Sequence, residues 1–435
     1  MTGGTGGNGS GGTTGTGGVT STGGSTGTGG TTSTGGTTGT GGVVSTGGSV
    51  GTGGRGTGGE TAAGGTPGSG GVGGKPGTGG TGTGGTSTGG TPGTGGVGGK
   101  PGTGGTSSTG GTTGTGGTTS TGGSSGNANP SGLPLPPGSG GMAKPSGTPS
   151  TITVLNWAGF KGAVSYTLDD DNSSQISNYS MLQAQSIPYT FYMWGNRTEA
   201  SNAVWAQAVK DGSEIGNHTW SHSSSGTTSD INQDTTFIMQ HLSVTPYTMA
   251  APNGASVYTQ LANGLFMINR GVSDAIIKPN DNTDRFTLPC YIPATGAPAS
   301  SFNSEVDSAQ SAGGWRVILV HGFTGGNDSA YQPVGISDYI AGIQHAKSLG
   351  NMWIGTVANV GAYWLGQKAF GSATTTTSGS NKTWTWTKPS NFPPGKYLRV
   401  TVAGGTLTQG GQALPWNDHG YYEIALDAGS VTLGP

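Results

Sequence analysis

Apolar and polar positions follow two regimes along the chain, and the break falls near residue 150. Beyond it, short β-rich runs alternate with helical periodicity, the order expected of βα units around parallel strands. Strands are predicted at 163–168, 189–194, up to Ile215, 247–250 and 265–268. The run 315–320 is almost continuously apolar, as a strand covered on both faces must be. Helices are predicted at 175–186, 202–210, 231–242 and 337–349. Phe237, Ile238 and Leu242 form an inner face on the third, and Gly350 fits the C-terminal stop of the last. A strand at 352–356 completes the set. After about Phe370 the pattern changes again. A Ser/Thr/Gly linker at 371–382 leads into the alternating run Thr383-Trp384-Thr385-Trp386-Thr387, followed by alternation at 397–402 and 421–426. A small antiparallel β-module at 383–435 is expected, near the lower size limit for folding alone or packed on the preceding domain as an extension.

Residues 1–149 show no such pattern. They hold 64 of the 95 glycines, and the first aromatic residue in the chain is Trp157. A segment so poor in large apolar side chains has too little surface to bury against its ordering entropy, so a disordered low-complexity spacer is expected there. The decapeptide GVGGKPGTGG occurs at 71–80 and again at 96–105, without the strict Gly-X-Y period of collagen. A flexible spacer accounts for the composition, and the density of Thr also allows a glycosylated stalk.

All ten Trp, thirteen Tyr and nine Phe therefore serve 151–435, enough for a real core. That core region is expected to be an α/β domain at 150–370. The spacer holds four basic residues and one acidic residue, a balance of +3; the remainder holds 13 basic and 18 acidic, a balance of −5. No basic run is present, so no nucleic-acid partner is expected. The single cysteine, Cys290, excludes an intramolecular disulfide and a cysteine-rich zinc site. No stretch approaches the ~20 apolar residues of a membrane span. Met1 leads directly into Gly/Thr repeats rather than a signal peptide, yet a long neutral spacer suits a domain held away from a cell surface. An extracellular or cell-surface location is the expectation. Oligomeric state is open.

Three short segments place ionisable residues just after predicted strands, where sites gather in α/β architectures. The first is Tyr166-Thr167-Leu168-Asp169-Asp170-Asp171-Asn172, in which adjacent carboxylates repel unless a cation shares them. The second is Gly216-Asn217-His218-Thr219-Trp220-Ser221-His222, whose two imidazoles converge on one ion if the segment turns helically. The third is Val317-Ile318-Leu319-Val320-His321. Taken singly, each has a plain structural explanation: an Asx turn or helix cap, a chance His pair, and a satisfied structural histidine. Their conjunction in one βα series does not.

The order TLDDD, HTWSH, LVH resembles the NodB-homology polysaccharide deacetylases, carbohydrate esterase family 4, over roughly residues 160–368. A closing segment at 352–360 is similar to the last strand and helix of one branch. The resemblance implies a distorted (β/α) barrel of about seven strands. It assigns Asp169 as general base, Asp170, His218 and His222 as ligands of a divalent metal ion, with Zn2+ expected, and His321 as general acid. Trp194 and Trp220 lie near these segments as candidates for stacking on sugar rings, with core packing as the alternative for both. The expected activity is removal of acetyl groups from a polysaccharide, either N-acetyl from chitin- or peptidoglycan-type sugars or O-acetyl from xylan-type ones.

The match is incomplete. Where the family pattern reads Arg-x-Pro-Tyr-Gly, this chain has Ala250-Ala251-Pro252-Asn253-Gly254, so alanine stands where the arginine is expected. Asn253 replaces a tyrosine whose backbone N–H would help hold the oxyanion, a task insensitive to the side chain. The Asp-Trp segment that steadies that arginine has no clear counterpart between 271 and 314. These losses motivate a second reading, a catalytically degenerate carbohydrate-binding or surface-display protein on the same barrel. A serine esterase is disfavoured, because G-x-S-x-G strings such as 122–126 lie only in the Gly/Ser tail, with no strand before them.

Overall fold

The computed structural model describes residues 129–435. The expected spacer up to residue 128 lies outside them. Strand β1 (Thr153–Val154) enters the fold, and β2 (Gly162–Asp169) is buried at all eight positions. Two short helices follow, α1 (Ser173–Ser177) and α2 (Tyr179–Gln183), where one helix over 175–186 was expected. The chain then builds β3 (Thr190–Met193), α3 (Val204–Lys210), β4 (Glu214–Asn217) and α4 (Thr228–Leu242). Thr227 caps α4 by accepting the Asp230 N–H, and Ser243 ends it in the left-handed conformation. Next come β5 (Thr248–Ala250), α5 (Val257–Leu261), β6 (Ile268–Arg270), α6 (Ala299–Ala312), β7 (Trp315–Val320), α7 (Ile336–Ser348), β8 (Met352–Ile354) and α8 (Val357–Gly371). Helix α6 was not foreseen. Its sequence, Ala-Ser-Ser-Phe-Asn-Ser-Glu-Val-Asp-Ser-Ala-Gln-Ser-Ala, buries only Phe302, Val306 and Ala309, a stripe too thin to stand out.

Seven strands form one parallel sheet in the order β6-β5-β4-β3-β2-β7, and β8 also pairs with β2. The fork on β2 is a matter of height. Its upper residues 167–169 pair with β3, and its lower residues 162–164 pair with β8. The sheet curls into a distorted (β/α) barrel, as expected. Between β6 and β7 the wall is completed by single bridges, Arg270 to Leu288 and Tyr291 to Ile318. Parallel pairing aligns the C-terminal ends of β2, β4, β5, β6 and β7, which is what gathers the segments singled out above.

The C-terminal strands are β9 (Thr374–Ser378), β10 (Asn381–Thr385), β11 (Tyr397–Thr401), β12 (Thr406–Gln409), β13 (Gln412–Ala413), β14 (Tyr422–Ala425) and β15 (Ser430–Gly434). They make two antiparallel sheets, β13-β12-β15-β10-β9 and β1-β11-β14. Residues 371–382, expected as a linker, thus contain β9 and the start of β10. The first strand of the second sheet comes from before the barrel. One apolar cluster runs from Trp315 and Leu319 in the barrel, through Trp364 of α8, to Leu398, Val400, Ile424 and Leu426. The approach is close: a Cβ on Gly366 would lie 2.5 Å from Leu426 Cδ1.

Residues 129–134, expected within the spacer, also join this body. Arg399 is fully buried and pairs with Glu423 at 2.9 Å, while Nη1 donates to Pro134 O and Nη2 to Leu133 O. Ser131 donates its N–H and hydroxyl to Glu423. The physical reason is local: a buried guanidinium needs acceptors, and this segment supplies the Leu133 and Pro134 carbonyls together with Asn129 Oδ1.

Candidate active site

The TLDDD segment ends β2 and then breaks sharply, with Asp170 at φ 74° and Asp171 at φ 43°. Left-handed backbone is costly for residues with a Cβ, and Asp is among those that tolerate it. Here it sends three successive carboxylates in different directions. Asp169 meets Arg270, Asp170 faces the histidines, and Asp171 accepts the Trp194 N–H at 2.7 Å.

His218 follows β4 directly. Its N–H reaches Met193 O and Asp234 Oδ2, and its Nδ1 lies 2.9 Å from Ala250 O. That carbonyl can only accept, so Nδ1 carries the proton and Nε2 presents its lone pair. His218 Nε2 is 3.4 Å from Asp170 Oδ1, and His222 Nε2 is also 3.4 Å from it. The His218–His222 segment is not helical, contrary to the condition set on its spacing. Thr219 and His222 both have positive φ, and side chains replace helical carbonyls: Asn217 Oδ1 accepts the Thr219 N–H, and Thr219 Oγ1 accepts the His222 N–H.

Ligand atoms of Asp170, His218 and His222 lie within 4.8 Å of one another. Asp170 Oδ1 is buried and has no hydrogen-bond partner among the described residues. A tautomer-fixed imidazole, a second imidazole and an orphaned carboxylate oxygen fit a divalent cation. Burial works against the Asp170 carboxylate, but His218, His321 and His222 outweigh it and hold it well below the usual carboxylate range. Burial pulls His222 down to about 4, so its ring is neutral at pH 7.

His321, at the end of β7, is mostly buried and its Nδ1 has no partner. Burial lowers its pKa against the pull of Asp169 and Asp170. Its carbonyl accepts from Asn172 Nδ2 at 2.8 Å and from Gln175 Nε2 at 2.7 Å. Gln175 Nε2 also donates to Asp169 O at 2.6 Å. One buried amide therefore ties the backbone of the acid candidate to that of the base candidate.

Arg270 corrects the sequence reading. The guanidinium expected at position 250 is supplied from the neighbouring strand, where Arg270 is the register partner of Ala250. Its Nη2 donates to Asp169 Oδ2, and both side chains are buried. A small residue at 250 leaves the space into which Arg270 reaches from the same height. The only signal was a lone Arg closing the run Phe266-Met267-Ile268-Asn269, two residues beyond the strand expected at 265–268. Gln175 and Asp234 were missed too, because a Gln in a short helix and an Asp in a polar one carry no pattern.

The remaining candidates sit on the rim. Asn253 is exposed, has φ 54°, and donates from its side chain to Ser224 Oγ, just past His222. Trp194 stacks on His222 with centroids 4.6 Å apart, and Arg197 lies over its ring. Trp220 packs edge-on against Phe237.

Residues 159–263 match the family model described as polysaccharide deacetylase. The barrel is a polysaccharide deacetylase domain of the NodB-homology type, a class of hydrolases. The matched segment carries the carboxylate and histidine motifs, whereas Arg270 and His321 lie beyond it. No curated protein matches the chain. Among solved structures, a family 4 acetyl xylan esterase from Clostridium thermocellum, in complex with a cobalt ion, is 21% identical. The match covers 46% of this chain and 89% of that one, with a TM-score of 0.31. The catalytic domain of a peptidoglycan N-acetylglucosamine deacetylase from Eubacterium rectale is 16% identical, with coverages of 48% and 92% and a TM-score of 0.33. A putative polysaccharide deacetylase from Mycobacterium smegmatis is 16% identical, with coverages of 53% and 96% and a TM-score of 0.35.

Proposed function

We propose that this protein is a metal-dependent hydrolase that removes acetyl groups from a polysaccharide. The N-acetyl groups of chitin- or peptidoglycan-type sugars and the O-acetyl groups of xylan-type sugars are the substrate classes. The observation that carries the reading is the cluster of Asp170, His218 and His222, flanked by Asp169 and His321 in one barrel mouth. Asp170, His218 and His222 would hold the ion, with zinc first among the metals a His2Asp donor set suits. When bound, such an ion lowers the pKa of water and polarises a carbonyl.

The chain's own residues supply the proton traffic. Asp169, aimed by Arg270, takes the proton from the attacking water. His321 returns a proton to the departing amine or alkoxide, held at the right height by Gln175 and Asn172. The backbone N–H of Asn253 is assigned to the carbonyl oxygen as negative charge develops there. Arg270 beside Asp169 also weakens the case for a degenerate barrel, because the guanidinium whose loss motivated that reading is present.

The reading places the protein outside the cell, with residues 1–128 as a spacer between surface and barrel. Fractionation of the native host tests this, and a purely cytosolic protein would refute it. For the activity, the full-length protein with added Zn2+ is assayed for acetate release from chitin oligomers, peptidoglycan and acetylated xylan. Release from at least one, lost on chelation and restored by metal, is expected. No release from any of the three overturns the proposal.

A further inference from the structure

Among the described residues Tyr331 is the single exposed Phe, Tyr or Trp, with 61% of its surface accessible. Every other such ring is buried or half-buried, including the Trp194 and Trp220 rings engaged by their own protein neighbours. An isolated exposed aromatic needs no explanation by itself. Its position does. The Tyr331 ring stands edge-on to the His321 imidazole, with centroids 5.2 Å apart and planes at 86°.

The loop that presents it is built to hold it there. Thr324 N–H donates to Val334 O and Val334 N–H to Gly322 O, closing the base of the loop. Asp328 accepts the Ser174 N–H at 2.6 Å, pinning the middle of the loop to the start of α1. Gly322 lets Ala330 approach so closely that a Cβ there would lie 2.6 Å from the Ala330 Cβ. Ser329 and Gln332 flank the ring's position at φ 53° and 48°, conformations that non-glycine residues adopt at a cost. Anchors and strained backbone on both sides spend stability to keep an apolar ring in water beside the acid candidate.

We infer that Tyr331 is a substrate-binding residue, the platform for the pyranose ring whose leaving group His321 protonates. The chemistry fits the placement. A pyranose offers an apolar C–H face that packs on an aromatic ring, and the sugar carrying the acetyl group must lie on the side of the proton donor. Tyr331 thus selects for a sugar ring over other acetyl compounds and is not itself a proton carrier. This inference rests on the deacetylase reading above.

The test compares Tyr331→Ala, Tyr331→Phe and Tyr331→Trp in the full-length, zinc-loaded protein. Kinetics are measured on the acetylated oligosaccharide that the wild type uses best and on 4-nitrophenyl acetate, which has no sugar. For Tyr331→Ala the KM on the oligosaccharide should rise about 5- to 10-fold, well beyond any change on the ester, with Phe and Trp largely restoring it. Calorimetric binding of the same acetylated oligosaccharides to chelator-treated protein requires no turnover and should weaken by a similar factor. An unchanged oligosaccharide KM and affinity, or an equal kcat loss on both substrates, overturns the inference while leaving deacetylation intact. Tyr331-dependent binding without acetate release leaves it standing and removes the deacetylase reading. No binding and no release with any of the three glycans overturns both.

Discussion

Arg270 at the end of β6 donates from Nη2 to Oδ2 of Asp169 at the end of β2, across 101 positions of sequence and with both side chains buried. Removing one partner of such a pair leaves the other as an uncompensated buried charge, at a cost of about 3–5 kcal/mol. Arg270→Met should therefore lower the urea midpoint substantially and reduce acetate release at least ~100-fold, because Asp169 loses both its charge partner and its aim. Arg270→Lys should recover part of the stability and little of the activity. A variant as active as the wild type would show that Asp169 is positioned by something else.

The Asp170, His218 and His222 cluster predicts a metal-dependent rise in thermal stability. An ion that binds only the folded state stabilises by about 2.7 kcal/mol at a concentration 100 times its Kd. Zn2+ should raise the melting temperature of the wild type and of His321→Ala, which keeps all three ligands. His218→Ala and Asp170→Asn should not respond. Equal shifts in all four proteins would place the ion elsewhere.

Burial pushes the Asp171 carboxyl up from its ordinary value to about 7, against the pull of the Trp194 N–H and Arg197. The fold thus holds this proton more tightly than the unfolded chain does. Between about pH 4 and pH 7 the folded state carries the extra proton, so stability falls as pH rises through that window and levels off above it. Asp234, raised by the same cause, adds to the slope. Asp171→Asn keeps an acceptor for Trp194 while removing the charge. In chelator it should match the wild type near pH 4 and exceed it near pH 8 by a few kcal/mol, since each tenfold gain in proton affinity on folding is worth about 1.4 kcal/mol. Urea unfolding at both pH values measures this, and parallel curves for the two proteins would contradict it.

The C-terminal sheets and the barrel share one apolar cluster. Ending the chain at residue 372 would expose the faces of α8 that pack on Leu398 and Leu426, and the truncated protein should aggregate or unfold well below the full chain's melting temperature. Beginning the chain at residue 150 removes the Pro134 and Leu133 carbonyls from the buried Arg399. Each unsatisfied partner costs about 1–3 kcal/mol, so a start at residue 129 should be measurably more stable. Calorimetry on the three chains decides, with a single transition expected for residues 129–435. Two separate transitions would show an independent module.

The sequence alone determined a good deal. Period and composition located the strands of the barrel, because a strand buried on both faces, such as 315–320, must be almost wholly apolar. Motif order brought Asp169, Asp170, His218, His222 and His321 into view, since each lies at a strand end or within a few residues of one and parallel strands end at one face. What lay beyond reach was whatever depends on registry between strands distant in the chain. Arg270 substitutes for an arginine at 250 only because β5 and β6 pair with those two residues side by side. Gln175 serves Asp169 and His321 only because β2 and β7 are neighbours at equal height. Tyr331 stands out only once every other ring has been packed away. Local pattern fixes which residues are near a strand end; tertiary contact alone decides which of them face one another.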